Sequence, residues 1–195
     1  MSNGLKYLYM YPLDQAMGML TDPQWTRAIF VREPKERVLS AFLDKATKKN
    51  ATYMDAICCR KKKSQDVSCG ERASRSLHDF VTVIHDQCFG DGHWKPQCQR
   101  IDPELWRYVN FVGYFDSLYD HAKRMLQRLG ELSWETYGAS GWGHYRNESM
   151  FMTNEAGHRT NSHNVATLYY NDSSVIKLVE DLYACDYERF NFSHG

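Results

Sequence analysis

Apolar and polar residues follow two patterns along the chain, one typical of buried strands and one typical of amphipathic helices. Residues 28–31, AIFV, form a continuous apolar run, as expected of a strand covered on both faces of a parallel sheet. Pro34 suits the first position of a helix, where the missing N–H has no partner to lose, and we predict a helix from Pro34 to about Lys48. At 100° per residue one side of this helix is apolar, while the other carries Arg37 and Ser40.

The same patterns predict the remaining elements and the fold class. A partial helix is predicted over 7–20, helices over 76–87, 116–129 and 173–183, and a second strand over 108–112. The stretches 48–75, 90–103 and 131–163 show neither period, so we predict that they are irregular. The order strand, helix, helix, strand, helix, helix is that of an α/β protein. No repeat, low-complexity tract or linker divides the chain, which predicts a single domain over residues 1–195.

Composition and charge narrow the classes of function. Of the 195 residues, 43% are apolar and 14% aromatic, which is typical of a globular rather than a disordered chain. The formal net charge of +0 gives no overall basic field that would attract nucleic acids or anionic membranes, so any anion site must be local. No stretch approaches the roughly 20 apolar residues of a membrane span, and no signal-peptide pattern opens the sequence. We therefore expect no nucleic-acid partner and no membrane contact from this chain.

Cysteines and glycosylation sequons favour a secretory environment. The six cysteines are even in number, and five of them fall within residues 58–98. Four Asn-x-Ser/Thr sequons begin at Asn50, Asn147, Asn171 and Asn191. Reduced core cysteines or chance sequons would explain either feature alone, but together they favour a secretory lumen. Because no CxxC pair or His-x-His spacing of a zinc site occurs, we predict disulfides and no metal; the sequence leaves the pairing open.

The turn after the first strand is the strongest candidate for a binding site. Arg32 follows a buried strand and precedes a proline-started helix, which predicts a guanidinium at the carboxyl end of the sheet, where open α/β folds bind ligands. A guanidinium favours phosphate because its planar fork donates hydrogen bonds in pairs. Ser40 lies on the polar flank of the same helix and could donate to the same phosphate. Ordinary loop charges and a solvated serine would, however, produce the same pattern.

These residues resemble the 3′-phosphate-binding motif of the carbohydrate sulfotransferases, a largely Golgi-resident family that sulfates glycans. The segment 30–45, FVREPKERVLSAFLDK, matches the pattern Arg-x-Pro-x-x-Arg-x-x-Ser, followed by an aromatic and an acidic residue. In that family the motif's Arg and Ser hold the 3′-phosphate of the donor, 3′-phosphoadenylyl sulfate. The resemblance therefore implies that role for Arg32 and Ser40.

Further segments resemble motifs of the same family, in the same order. They are His93-Trp-Lys-Pro-Gln97, Tyr108 to Asp116, His158-Arg-Thr-Asn-Ser162, Tyr169-Tyr170 and Val179 to Phe190. The resemblance implies that Arg159, Thr160 and Ser162 contact the donor nucleotide. It also implies that His93 lies near the acceptor. Because sulfuryl transfer needs a base for the acceptor hydroxyl, we predict His93 as the catalytic base, beside Trp94, which could stack on a sugar ring. Alternatively, His93 and Trp94 only pack a loop against the core.

The resemblance implies a fold and an activity. The fold is a three-layer, mainly parallel sheet flanked by helices, similar to that of P-loop NTPases. The activity is transfer of a sulfuryl group from 3′-phosphoadenylyl sulfate to a hydroxyl of a glycan or proteoglycan, in the Golgi lumen or at the Golgi membrane.

One part of the family pattern has no counterpart, which leaves two alternatives open. The family's basic loop for the donor's 5′-phosphosulfate and its membrane anchor are not found in the first twenty-five residues, where Lys6 is the single lysine. The alternatives are a non-catalytic sulfotransferase-like protein and a disulfide-stapled, secreted glycan-binding domain. The Arg60–Lys63 run would suit an anionic glycan, although such runs are usually just solvated.

Overall fold

The computed structural model describes residues 6–48, 50–59, 68–139, 151 and 160–193. The strands are β1 (Ala28–Val31) and β2 (Phe111–Tyr114), and the α-helices are α1 (Leu13–Thr21), α2 (Pro34–Ala41), α3 (Asn50–Cys58), α4 (Cys69–Ala73), α5 (Leu77–Cys88), α6 (Leu118–Gln127), α7 (Ser133–Tyr137), α8 (Ser162–Tyr169), α9 (Ser173–Leu182) and α10 (Ala184–Phe190). A small parallel sheet with helices between and after its strands confirms the predicted α/β class. None of these described helices is long and apolar enough to cross a bilayer.

The chain divides into two compact units, each made of two separate stretches. Unit 1 comprises Met1–Val31 and Asp102–Gly157, and unit 2 comprises Arg32–Ile101 and His158–Gly195. The boundary between them falls directly after β1. A single domain over residues 1–195 stays a prediction.

Unit 1 contains the sheet and a small core. β1 and β2 run parallel, with Ala28 opposite Phe111 at the start of the pair. Gly113 lies directly against the ring of Phe30, so a Cβ at this position would overlap that ring. The buried core beside the sheet consists of Ala122, Leu126 and Trp134.

The second strand begins three residues later than the pattern predicts. Residues 108–112 read as a strand, but the 3₁₀-helix Pro103–Tyr108 takes up the start of that stretch, because proline favours the first turn of a helix. Asn110 then fixes the start of β2. Its side-chain oxygen accepts a bond from the Arg27 backbone N–H, and its amide nitrogen donates to the Trp25 carbonyl, both at 2.9 Å.

Unit 2 has a larger core, on which α2, α5 and α9 converge. Leu39 of α2, Phe80 and Ile84 of α5 and Val179 of α9 are fully buried in it. The helix predicted from Pro34 to about Lys48 is confirmed in extent, since α2 continues as a π-helix over Phe42–Lys48. The helices predicted over 76–87, 116–129 and 173–183 correspond to α5, α6 and α9.

The prediction of irregular structure over residues 48–75 is wrong, because this stretch contains α3 and α4. Met54 and Cys58 form part of the buried face of α3, and the hydrophobic pattern gives cysteines little weight. Gly70 of α4 lies against the Ala51 carbonyl of α3, an approach that only glycine permits. The short helix α7 likewise falls in a stretch predicted to be irregular.

All six cysteines form disulfides, and all lie in unit 2. The pairs are Cys58–Cys88, Cys59–Cys69 and Cys98–Cys185. The predicted disulfides are thus present, and the structure supplies the pairing that the sequence left open.

Candidate active site

The turn between β1 and α2 is fixed by its own residues and by α10. Pro34 occupies the first helical turn of α2, and Glu33 caps the helix by accepting the Glu36 backbone N–H at 2.7 Å. The second carboxylate oxygen of Glu33 accepts a bond from the Tyr187 hydroxyl at 2.8 Å. Burial and this carboxylate together raise the pKa of Tyr187, so the phenol stays protonated and continues to donate.

The Arg32 side chain reaches from this turn to the start of α8. Its Nη2 donates to Ser162 Oγ at 2.8 Å, while its Nε lies 3.5 Å from a carboxylate oxygen of Glu36. The other oxygen of Glu36 lies 2.5 Å from His163 Nδ1. The Arg32 guanidinium therefore lies between the Ser162 hydroxyl and the Glu36 carboxylate, which also contacts His163.

Ser40 lies one helical turn after Glu36 on α2, and its hydroxyl contacts the same distant segment. Ser40 Oγ and Thr160 Oγ1 are 2.9 Å apart, and either hydroxyl can be the donor. When two hydroxyls share one hydrogen bond, the second proton stays available for another acceptor.

Four of the five residues predicted to bind the donor thus form two hydrogen-bonded pairs, Arg32 with Ser162 and Ser40 with Thr160. The segment that supplies Thr160 and Ser162 is 120 to 130 positions away from their partners. The fifth residue, Arg159, lies outside the described residues, as does the Arg60–Lys63 run.

The backbone of Arg32 is held by a residue to which the sequence assigned no role. Gln97 Oε1 accepts the Arg32 N–H at 2.9 Å, and Gln97 Nε2 donates to the Arg32 carbonyl at 2.8 Å. Gln97 in turn contacts the buried carboxylate of Asp186. Gln97 and Asp186 both occur in the motifs quoted above, and their place in those motifs was the available signal.

His93 forms a dyad with Asp91, a partner that the sequence analysis missed. Asp91 Oδ1 accepts the His93 backbone N–H at 2.8 Å and lies 2.7 Å from His93 Nδ1. A carboxylate only accepts, so the proton of the neutral imidazole is on Nδ1 and Nε2 is the basic nitrogen. The His93 side chain is 44% exposed, which leaves the ring open to an acceptor.

The expectation that Trp94 stacks on a sugar ring is wrong. Trp94 is 0% exposed, its indole N–H donates to the Cys88 carbonyl at 2.9 Å, and its ring packs edge-on against Phe80. The alternative, that Trp94 packs the loop against the core, is correct. Its burial anchors His93, which precedes it, at the surface.

Arg37 places a second guanidinium next to the His93 loop. Its Nη2 lies 3.4 Å from the Gly92 carbonyl, which also accepts a bond from Arg100. Burial lowers the pKa of Arg37, although nearby Asp186 acts in the opposite direction. Arg37 Nη1 is buried and has no hydrogen-bond partner within the described part of the chain.

The side-chain clusters with metal-ligand spacing do not offer thiolates. Two such groups occur in the described residues, Asp55 with Cys59 and Cys69, and Asp186 with Cys98 and Cys185. All four of these cysteines are in disulfides. Disulfide sulfurs lack the thiolate charge that binds a metal, so neither cluster is a metal centre.

Comparison with known proteins identifies the class to which this fold and site belong. A family model described as the sulfotransferase family matches residues 2–193. The match spans nearly the whole sequence, so the chain belongs to the sulfotransferase family, as its motifs predicted. No solved structure matches the chain.

The names of two curated relatives describe a narrower class of protein than the family model does. The chain is 29% identical over 185 residues to human carbohydrate sulfotransferase 9, an alignment that covers 87% of this chain and 38% of the relative. It is 28% identical over 182 residues to mouse carbohydrate sulfotransferase 8, covering 87% of this chain and 40% of the relative. The chain thus spans about two fifths of the length of the curated relatives it matches.

Proposed function

We propose that this chain transfers a sulfuryl group from 3′-phosphoadenylyl sulfate to a hydroxyl of a carbohydrate. The observation that carries the proposal is the joining of Arg32 to Ser162 and of Ser40 to Thr160. Two distant segments thereby gather a guanidinium and three hydroxyls around the turn of the phosphate-binding motif. Family membership and relatives named carbohydrate sulfotransferases support the same activity.

The residues present fit the 3′-phosphate of the donor. A guanidinium and hydroxyls are all donors to phosphate oxygens, and bonds from charged groups are the stronger ones. Ser162 Oγ accepts from Arg32, so its own proton can point to an anion. Glu36 adds a negative charge nearby, but Arg32 and His163 both lie against its carboxylate.

His93 is proposed as the base that activates the acceptor. Sulfuryl transfer forms a bond from the acceptor oxygen to sulfur and breaks the bond from sulfur to the phosphate oxygen, while the acceptor hydroxyl loses its proton. Nε2 of His93 is the nitrogen that takes this proton, because Asp91 holds the proton on Nδ1. Asp91 also stabilises the imidazolium that results. The bound donor supplies the activated sulfuryl group, with adenosine 3′,5′-bisphosphate as its leaving group.

The setting of the reaction follows from the same proposal. The acceptor is a glycan or proteoglycan, and the compartment is the Golgi lumen; the three disulfides of unit 2 are typical of proteins of the secretory route. Sequon residues Asn171 and Asn191 are exposed and open to glycosylation. The fold is proposed to be a three-layer, mainly parallel sheet flanked by helices, similar to that of P-loop NTPases.

Donor binding is tested by calorimetric titration of the chain with adenosine 3′,5′-bisphosphate. Arg32→Ala removes a charged contact to the phosphate and is expected to weaken binding by about 1.5–3 kcal/mol, roughly ten- to a hundredfold. Ser40→Ala is expected to weaken it less, because a neutral hydroxyl contributes about 1 kcal/mol. Arg75→Ala, which removes an exposed arginine elsewhere in unit 2, serves as the control and should bind like the wild type.

Transfer is tested with a radiolabelled donor and a panel of glycan acceptors. His93→Ala should lower the rate by about a hundredfold or more while leaving the affinity for adenosine 3′,5′-bisphosphate unchanged, since His93 acts on the acceptor. A wild-type chain that binds the nucleotide no better than Arg32→Ala would refute the donor site. Glycan binding without nucleotide binding would instead favour the glycan-binding domain.

A further inference from the structure

We propose that Gln97 and Asp186 are positioning residues for the phosphate site, which act by fixing the backbone of Arg32. Gln97 bonds the backbone of Arg32, and Asp186 bonds Gln97. The inference rests on the proposed function, because it assigns a role within the same donor site.

Gln97 holds Arg32 in the way that a neighbouring strand would. Its side-chain amide bonds both the N–H and the C=O of Arg32, at 2.9 and 2.8 Å. Arg32 is the first residue after β1, where the ladder with β2 ends. Gln97 is only 7% exposed, so little water can compete for these bonds. The direction in which the Arg32 side chain leaves the backbone is thereby fixed.

Asp186 sets the orientation of the Gln97 amide. Its carboxylate is 0% exposed and accepts the backbone N–H of Gln97 at 2.9 Å, that of Cys98 at 2.6 Å and the Gln97 Nε2 at 3.3 Å. A flipped amide would turn its oxygen towards two acceptors, the Asp186 carboxylate and the Arg32 carbonyl. The carboxylate therefore selects the orientation that lets Gln97 bond both backbone groups of Arg32.

The surroundings make this arrangement rigid. The disulfide Cys98–Cys185 joins the residue after Gln97 to the residue before Asp186. The next residue of α10, Tyr187, bonds Glu33, the residue after Arg32. Helix α10 thus supports both residues of the turn that begins the motif.

A fixed backbone matters because binding otherwise includes the cost of ordering it. A guanidinium already held in place loses less conformational freedom when it meets a phosphate, and affinity rises accordingly. Loss of the Gln97 amide should therefore weaken phosphate binding through Arg32 and through no other ligand. A loss of affinity that depends on the presence of Arg32 distinguishes a positioning role of Gln97 from a general structural role.

The test is a double-mutant cycle on Gln97 and Arg32, read by calorimetry with adenosine 3′,5′-bisphosphate. Gln97→Met keeps the length and approximate volume of the side chain, and the backbone N–H groups still bond Asp186. We expect about tenfold weaker binding in the wild-type background and less than about twofold in the Arg32→Ala background. Should Gln97→Met fail to fold, Gln97→Asn keeps a neutral amide but is one methylene shorter than the side chain that bonds Arg32, and the same cycle applies.

Ser74→Ala is the matched control for stability. It removes side-chain bonds to the Ala46 and Gly70 carbonyls of unit 2, away from Arg32. It should lower the thermal stability but leave the affinity unchanged.

The inference alone is overturned if the wild type binds and Gln97→Met binds equally well, or weakens binding by the same factor in both backgrounds. A wild-type chain that does not bind the nucleotide overturns the proposed function, and this inference with it.

Discussion

The two compact units of the chain are stabilised by different means. Unit 2 contains all six cysteines in three disulfides, together with the larger core. Unit 1 has no cysteine in its sequence, and its described buried core consists of Ala122, Leu126 and Trp134. The described residues of the proposed donor site, and His93, all belong to unit 2.

The helix ends show the same contrast. In unit 2, side chains cap the amino ends of four helices, α2, α4, α5 and α9: Glu33, Ser68, Ser76 and Asp172. Helices α8 and α10 of the same unit have no side-chain cap. In unit 1, the described helices α1, α6 and α7 have no side-chain cap. Sites that recognise a small anion need side chains held to within about half an ångström, which a cross-linked and capped unit provides. The described residues of the proposed site belong to the unit that contains the disulfides and these caps.

Removal of a disulfide should have the largest effect on this contrast. The double substitution of Cys98 and Cys185 by alanine opens a link that spans 87 positions. The chain-entropy relation gives a loss of about 4–5 kcal/mol in the free energy of unfolding. Chemical denaturation measures it.

The disulfide Cys59–Cys69 spans only 10 positions and is the control for loop length. The same relation gives about 3 kcal/mol for its removal. An equal or larger loss for the shorter link would show that covalent restraint of the long loop is not what distinguishes unit 2.

A smaller loss of stability is expected from substitutions in the two cores. Leu39→Ala leaves a cavity in the dense core of unit 2 and should cost about 4 kcal/mol. Leu126→Ala, in the small core of unit 1, should cost about 2 kcal/mol because few neighbours surround it and they can relax. Hydrogen exchange of the α5 amides measures the stability of unit 2, and exchange of the α6 amides measures that of unit 1. Equal costs would mean that the cores are packed alike.

Helix capping should give the smallest difference. Ser76→Ala removes the bond that Ser76 Oγ accepts from the Asp79 N–H at 3.0 Å, and should cost about 1 kcal/mol. Ser117→Ala is the same substitution at the N-cap of α6, where no side-chain cap bond forms. It should change stability by less than about 0.5 kcal/mol, as measured by thermal unfolding. A larger loss for Ser117→Ala would contradict the contrast in capping.

Local signals predicted the parts of the molecule that depend on local chemistry. β1 follows from an apolar run, the start of α2 from Pro34, and the proposed phosphate ligands Arg32 and Ser40 from a short motif. The structure brings Ser40 to Thr160 and Arg32 to Ser162, and the role of these residues in donor binding stays a prediction.

The missed features depend on tertiary partners. The role of Gln97 becomes visible only when it meets Arg32, 65 positions away, and Asp186, 89 positions away. The prediction for Trp94 was wrong because a tryptophan next to a histidine is equally typical of a sugar-binding site and of a loop packed against the core. Only its fully buried position decides between them.

The parallel pairing of β1 and β2 has a consequence for the order of events during synthesis. Asn110, at the start of β2, bonds Arg27 across 83 positions of chain. At a translation rate of about 5–20 residues per second, roughly 4 to 17 seconds pass between the synthesis of β1 and that of β2. During that interval the ribosome synthesises Arg32–Ile101, the first stretch of unit 2. Until β2 is synthesised, the apolar residues of β1 lack the strand with which they pair.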